Sequence, residues 1–263
     1  MIFIFCAIKA EADLIIDSFG LKRDTSVSGL ELYGNGNILL ALTGIGKVRC
    51  AATVARVLTY FNNLSPVVLN IGICAGGKGD KKGDIFHVNK ITDLDTSRSY
   101  YPDMIVPLGI PEKASVTVSV PSLPGDLKDR EEITDMESSA FIETASMFTS
   151  KDRIFLVKIV SDFGEEITVS SVYSLLEGRR EEILRTVDTL LGIKEEENIP
   201  EYDISSLSEA LHCTEYMKNR LREISSYLIS TGKDPKKYFA PFLPVASKAE
   251  GKKVLDEAVS HLY

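Results

Sequence analysis

Short apolar runs alternate along this chain with stretches of helical periodicity. Residues 2–7, 37–43, 67–73, 84–91, 115–120 and 154–160 read as strands, and residues 9–19, 46–62, 135–149 and 169–191 as helices. Several strands have no polar face; Ile38-Leu39-Leu40-Ala41-Leu42 is apolar at every position. Such runs belong to central strands covered by helices on both sides. The alternation predicts an α/β fold built on a largely parallel or mixed sheet.

The pattern changes near Lys194-Glu195-Glu196-Glu197-Asn198-Ile199-Pro200, an acidic stretch expected to link an α/β domain, 1–194, to a helical C-terminal extension, 195–263. There Ser206-x-x-Glu209 matches a capping box opening a helix to about residue 230, with Leu207, Leu211, Met217, Leu221, Ile224 and Leu228 on its apolar face. Pro235, Pro241 and Pro244 mark a loop before a last helix near 248–262. The extension is expected to pack on the main domain, form a partner surface or cover a site.

Composition narrows the function. A net charge of −8 disfavours nonspecific nucleic-acid binding, which needs a basic footprint. The apolar runs are too short to cross a bilayer, so no membrane partner is expected. The start, Met1-Ile2-Phe3-Ile4-Phe5-Cys6-Ala7-Ile8, lacks a basic n-region and reads as a buried first strand, not a signal peptide. The four cysteines show no metal-type spacing, which points to a reduced, cytoplasmic protein. His87, His212 and His261 stand beside no candidate nucleophile, so neither Ser/His or Cys/His catalysis nor zinc is supported.

In open α/β sheets, ligands bind at the carboxyl ends of strands. Three segments fall there: Thr43-Gly44-Ile45-Gly46, Gly72-Ile73-Cys74-Ala75-Gly76-Gly77 and Ser161-Asp162. The first is neither a dinucleotide fingerprint, since Arg49 stands at the third glycine position, nor a phosphate-cradling GxxxxGK[ST] loop. Two glycine turns at one sheet edge fit a small-molecule pocket. A carboxylate, Glu137, sits among small residues in Asp135-Met136-Glu137-Ser138-Ser139-Ala140, and is costly to bury without a partner. Two readings compete for it: the end of a Thr134-x-x-Glu137 capping box, or a ligand carboxylate facing Asp162.

In order, Ala7-Ile8-Lys9-Ala10-Glu11, Thr43-Gly44-Ile45-Gly46-Lys47-Val48, Leu69-Asn70-Ile71-Gly72-Ile73-Cys74-Ala75-Gly76-Gly77, Asp135-Met136-Glu137-Ser138-Ser139-Ala140 and Val160-Ser161-Asp162 resemble the nucleoside phosphorylase/nucleosidase superfamily, within it the 5′-methylthioadenosine/S-adenosylhomocysteine nucleosidases. The resemblance covers residues 1 to about 192. It implies a three-layer α/β/α fold around a mixed sheet, cleavage of an N-glycosidic bond of a small-molecule nucleoside, no cofactor, and a homodimer or hexamer. By position, Glu137 would accept ribose hydroxyls, Met136 would floor the ribose, Asp162 would address purine N7, and Glu11 would orient or deprotonate water. Ile45, Gly46, Ile73, Cys74, Ala75, Gly76, Ser161 and Phe163 would complete the substrate site. Asp162 could serve as the acid if burial keeps it protonated near neutrality, or if it takes up a proton as ligand binds.

Hexameric phosphorylases carry an arginine and a serine in the loop that aligns with residues 70–73. Here Asn70 and Ile73 stand there, and neither offers a cation for phosphate. Water is thus the expected acceptor. Phosphorolysis, with phosphate as co-substrate, and a catalytically silent nucleoside-binding module remain the alternatives.

Overall fold

The computed structural model describes residues 1–62, 65–127, 129–193 and 202–260, and the chain divides into two compact units, Met1–Glu195 and Glu196–Tyr263. The stretch 194–200 and Leu262 lie outside the described residues. No described helix is long and apolar enough to cross a membrane.

The first unit runs β1 (Ile2–Cys6), α1 (Lys9–Ser18), β2 (Lys22–Asp24), β3 (Glu31–Gly34), β4 (Ile38–Leu42), α2 (Lys47–Phe61), β5 (Val67–Ala75), β6 (Ile85–Asp93), β7 (Ser99–Tyr100), β8 (Glu112–Thr117), α3 (Pro124–Leu127), β9 (Ile133–Asp135), α4 (Ser138–Ala145), β10 (Ile154–Asp162), α5 (Val169–Glu177) and α6 (Arg180–Leu191). The sheet is mixed. β1 lies parallel between β4 and β5, and β5 is parallel to β10. β10 turns antiparallel to β6, and β8 and β9 lead back to β5, so five strands close a ring.

Strand periodicity of two sorts the apolar residues into layers. Ile2, Ile4 and Cys6 of β1 join a core with Ala12 and Ile15 of α1, Leu176 of α5 and Val187 of α6. Phe3 and Phe5 face the other way, into a core with Val54 and Val57 of α2 and Phe141 of α4. The sheet is therefore buried on both faces, which is why its central strands need no polar side.

Several boundaries differ from the sequence reading. The helix expected over 169–191 is two: α5 ends at Glu177 with Gly178 as its C-cap, and Arg179 turns out of the helix, its Nε donating to Gly83 O at 2.5 Å. The helix expected over 135–149 begins only at Ser138, because Ile133–Asp135 pairs with β8 and β5. The strand expected over 115–120 spans Glu112–Thr117, its early residues laddering with β6.

The second unit holds α7 (Ser205–Ala210), α8 (Glu215–Ser230), α9 (Pro235–Phe239) and α10 (Lys248–Ser260) around Leu207, Leu211, Met217, Leu221, Phe239 and Leu255. The long helix expected from Ser206 is broken: His212 adopts a φ of 49°, and Thr214 caps α8 by accepting from the Met217 N–H. Ser206 caps nothing; α7 starts after Ile204 without a side-chain cap.

Candidate active site

The carboxyl ends of β1, β5, β9 and β10 open on one cavity of about 480 Å³. Glu11, Ile45, Ile73, Cys74, Ala75, Met136, Glu137, Ser161 and Asp162 all line it. Three expected members do not. Gly46 stands just behind, its N–H donating to Glu137 Oε1 at 2.7 Å. Gly76 and Phe163 pack on each other; a Cβ on Gly76 would meet the Phe163 ring at 2.6 Å. Phe163 is a packing aromatic, held by its own N–H to Glu165 Oε2. A second hollow, about 690 Å³ along α1 and α5, carries charges that satisfy one another: Tyr173 donates to Asp13, and Arg180 pairs with Glu177.

Glu11 is fixed by backbone. Its Oε2 accepts from the Ala7 and Ile8 N–H groups at 2.7 and 3.0 Å, and its Oε1 from the Ile73 N–H at 2.9 Å. The residue three places into α1 thus reaches back over the helix start and across to β5. Gly72 makes room, since a Cβ there would stand 2.7 Å from Oε1. Burial raises the Glu11 pKa, against the pull of the Ile73 and Ile8 N–H groups and the Lys158 ammonium.

Glu137 is 6% exposed and occupies the residue just before α4. The Thr134-Glu137 capping box is not formed: Thr134 lies within β9, and its hydroxyl makes no hydrogen bond to any described residue. The carboxylate turns instead to Gly46, whose φ of 99° aims its N–H at the cavity side of the β4–α2 turn. Burial pushes the Glu137 carboxyl up to about 7, with Asp135 adding to the rise and Lys158 and the Gly46 N–H opposing it.

Lys158 is the member that sequence reasoning missed. It sits 1% exposed in the middle of β10, with Nζ 2.8 Å from Asp135 Oδ2. A lysine inside an eight-residue apolar run was the available signal, because a buried ammonium requires an anion. Burial works to lower its pKa, but Asp135, Glu137 and Glu11 outweigh that and hold it up. Asp135 also accepts from Thr117 Oγ1 at 2.9 Å and from the Ser138 N–H and hydroxyl. The neighbouring Ser139 hydroxyl donates to Asp93, which Lys47 neutralises at 2.9 Å. The Ser138-Ser139 pair thereby staples the start of α4 to two charge pairs and sets the position of Glu137.

Asp162 ends β10. Its Oδ1 accepts from the Gly164 N–H at 2.8 Å and its Oδ2 lies 2.6 Å from Ser161 Oγ. Ser161 Oγ is also 3.1 Å from Cys74 O. The Ser161 hydroxyl stands between these two acceptors, and together with the Gly164 N–H it fixes the Asp162 carboxyl at the cavity wall.

The cavity wall carries Glu11, Asp135, Glu137, Asp162, Glu165 and Glu166, and no lysine, arginine or histidine among the described residues. Lys47 is held by Asp93 and Asp95, Arg98 pairs with Glu143, and Arg49 folds over Gly44. No group of three or more His, Cys, Asp or Glu side chains is arranged to hold a metal ion among those residues.

No family model and no curated protein sequence matches the chain. Solved structures do. A 5′-methylthioadenosine nucleosidase of Arabidopsis thaliana aligns over 73% of this chain and 96% of its own, at 18% identity and a TM-score of 0.61. The 5′-methylthioadenosine/S-adenosylhomocysteine nucleosidase of Neisseria meningitidis, solved with methylthio-immucillin-A, aligns over 72% and 97%, at 18% identity and a TM-score of 0.58. A futalosine hydrolase of Helicobacter pylori aligns over 72% and 97%, at 15% identity and a TM-score of 0.57. The chain shares the fold of these nucleosidase and futalosine hydrolase structures.

Proposed function

We propose that this protein hydrolyses the N-glycosidic bond of a purine nucleoside of the methylthioadenosine or S-adenosylhomocysteine kind, releasing free base and a ribose derivative. The observation that carries this reading is one cavity lined by Glu11, Glu137 and Asp162 and, among the described residues, by no basic side chain. As the C1′–N9 bond breaks, its electron pair leaves with the base and positive charge develops at C1′. Glu137, beside the Met136 floor, accepts the ribose hydroxyls and stabilises that charge electrostatically. Asp162 gives its proton to N7, so the base departs neutral. Water adds to C1′ and yields its proton to Glu11, whose raised pKa suits a base. An acidic wall favours water over phosphate as the acceptor, and disfavours a 5′-phosphate or other anionic 5′ group.

Incubation with methylthioadenosine, S-adenosylhomocysteine, adenosine and inosine, with and without phosphate, tests this. The expected product is a free ribose derivative in both buffers. Ribose 1-phosphate formed only with phosphate would make the protein a phosphorylase. Binding without cleavage of any of them would make it a silent binding module.

A further inference from the structure

Thr134 is the one cavity-lining side chain with a buried hydroxyl that has no partner among the described residues. It is 4% exposed, and its oxygen is shut off from solvent. A buried hydroxyl without a hydrogen bond carries an uncompensated desolvation cost, so the residue needs an explanation. Packing alone would be served better by valine, which has the same shape and no polar atom.

Register places Thr134 opposite Asp162 across one intervening strand. Asp162 pairs with Ala75, and Ala75 pairs with Thr134. Laddered neighbours project to the same face of a sheet, and strands lie about 4.8 Å apart. Asp162 and Thr134 are therefore the two ends of a slot roughly 10 Å wide between Cα atoms, and the methyl of Ala75 is too small to fill it. Thr134 is two residues before Met136, the floor assigned to the ribose, and both line the cavity. Thr134 lines the cavity, and rotation about χ1 moves its hydroxyl between staggered positions.

We propose that the Thr134 hydroxyl donates a hydrogen bond to the base on the side of N9 opposite Asp162, which in a purine is the acceptor nitrogen N3. This rests on the purine-nucleosidase reading above. N7 and N3 flank N9 in the two fused rings, and both gain electron density as the glycosidic bond breaks. Asp162 transfers a proton to the first, and Thr134 shares one with the second without giving it up. The site is then specific for a base with an acceptor at that position, and Thr134 is a specificity-determining residue.

The test compares wild type, Thr134→Val and Thr134→Ser on methylthioadenosine and on its 3-deaza analogue, in which N3 is replaced by C–H. For methylthioadenosine, Thr134→Val is expected to lower kcat/KM roughly 3- to 10-fold, the range of one neutral hydrogen bond. For the 3-deaza analogue it is expected to change nothing, and Thr134→Ser is expected to restore the preference for N3. Thr134→Val should also melt no lower than wild type, because it removes an unpaired buried hydroxyl. Equal losses on both substrates, or none on either, would overturn the role of Thr134 while leaving the nucleosidase reading intact. A wild-type protein that cleaves neither substrate overturns both.

Discussion

Glu137→Gln should make the α/β unit more stable above neutral pH while removing most of its activity. The wild-type carboxyl is pushed from 4.5 up to about 7, chiefly by burial. A raised folded-state pKa contributes stability that is fully present below 4.5 and is lost as pH rises through about 7. At 1.36 kcal/mol for each pH unit of displacement, the complete loss is about 3 kcal/mol, of which about 2 kcal/mol falls between pH 5.5 and 8.5. Glutamine has no such penalty, and its amide oxygen can keep the 2.7 Å bond from the Gly46 N–H. His87, lowered to about 4 by burial, titrates in both proteins and cancels from the comparison. Amide hydrogen exchange of β5 and β10 reports the stability of this unit separately from the helical unit. The expected result is that wild type loses about 2 kcal/mol more than Glu137→Gln between pH 5.5 and 8.5. Parallel losses in the two proteins would refute the argument that burial of Glu137 controls this pH dependence. A gain in stability with a loss of turnover is the trade expected where a strained charge serves chemistry.

Asp162→Asn should lower kcat by about 10² to 10⁴ in a folded protein that still binds nucleoside, since it removes general acid catalysis and little else; wild-type turnover would sink the N7 role. Lys158→Met should cost about 3–5 kcal/mol by leaving Asp135 buried without its cation, and Lys158→Met with Asp135→Asn should recover much of it, as read by urea unfolding. Gly72→Ala should displace Glu11, because the new Cβ would stand 2.7 Å from its carboxylate; the expected loss is in kcat, with circular dichroism unchanged. Gly251→Ala should unfold or rearrange the helical unit, since its Cβ would collide with the Leu211 carbonyl oxygen; unaltered exchange protection in α8 and α10 would contradict that packing.

The layered α/β fold was legible from apolar patterning because each core strand must bury both faces, a requirement that acts residue by residue along β1, β4 and β10. The order of five short motifs was also legible, and with it Glu11, Met136, Glu137 and Asp162 as companions. Helix breaks were less so. Gly178-Arg179 and His212 interrupt runs whose apolar periodicity continues across them, and the breaks rest on contacts such as Arg179 with Gly83 that periodicity does not encode. Tertiary structure alone decided what holds each carboxylate. Thr134-x-x-Glu137 has the spacing of a cap, but pairing of Ile133–Asp135 with β8 and β5 takes Thr134 into the sheet and hands Glu137 to Gly46. Lys158 is one polar position in an apolar strand, and only the closing of the sheet sets it against Asp135. Local sequence dictates which face a side chain takes, whereas the partner that makes a buried charge tolerable comes from a residue far away in the chain.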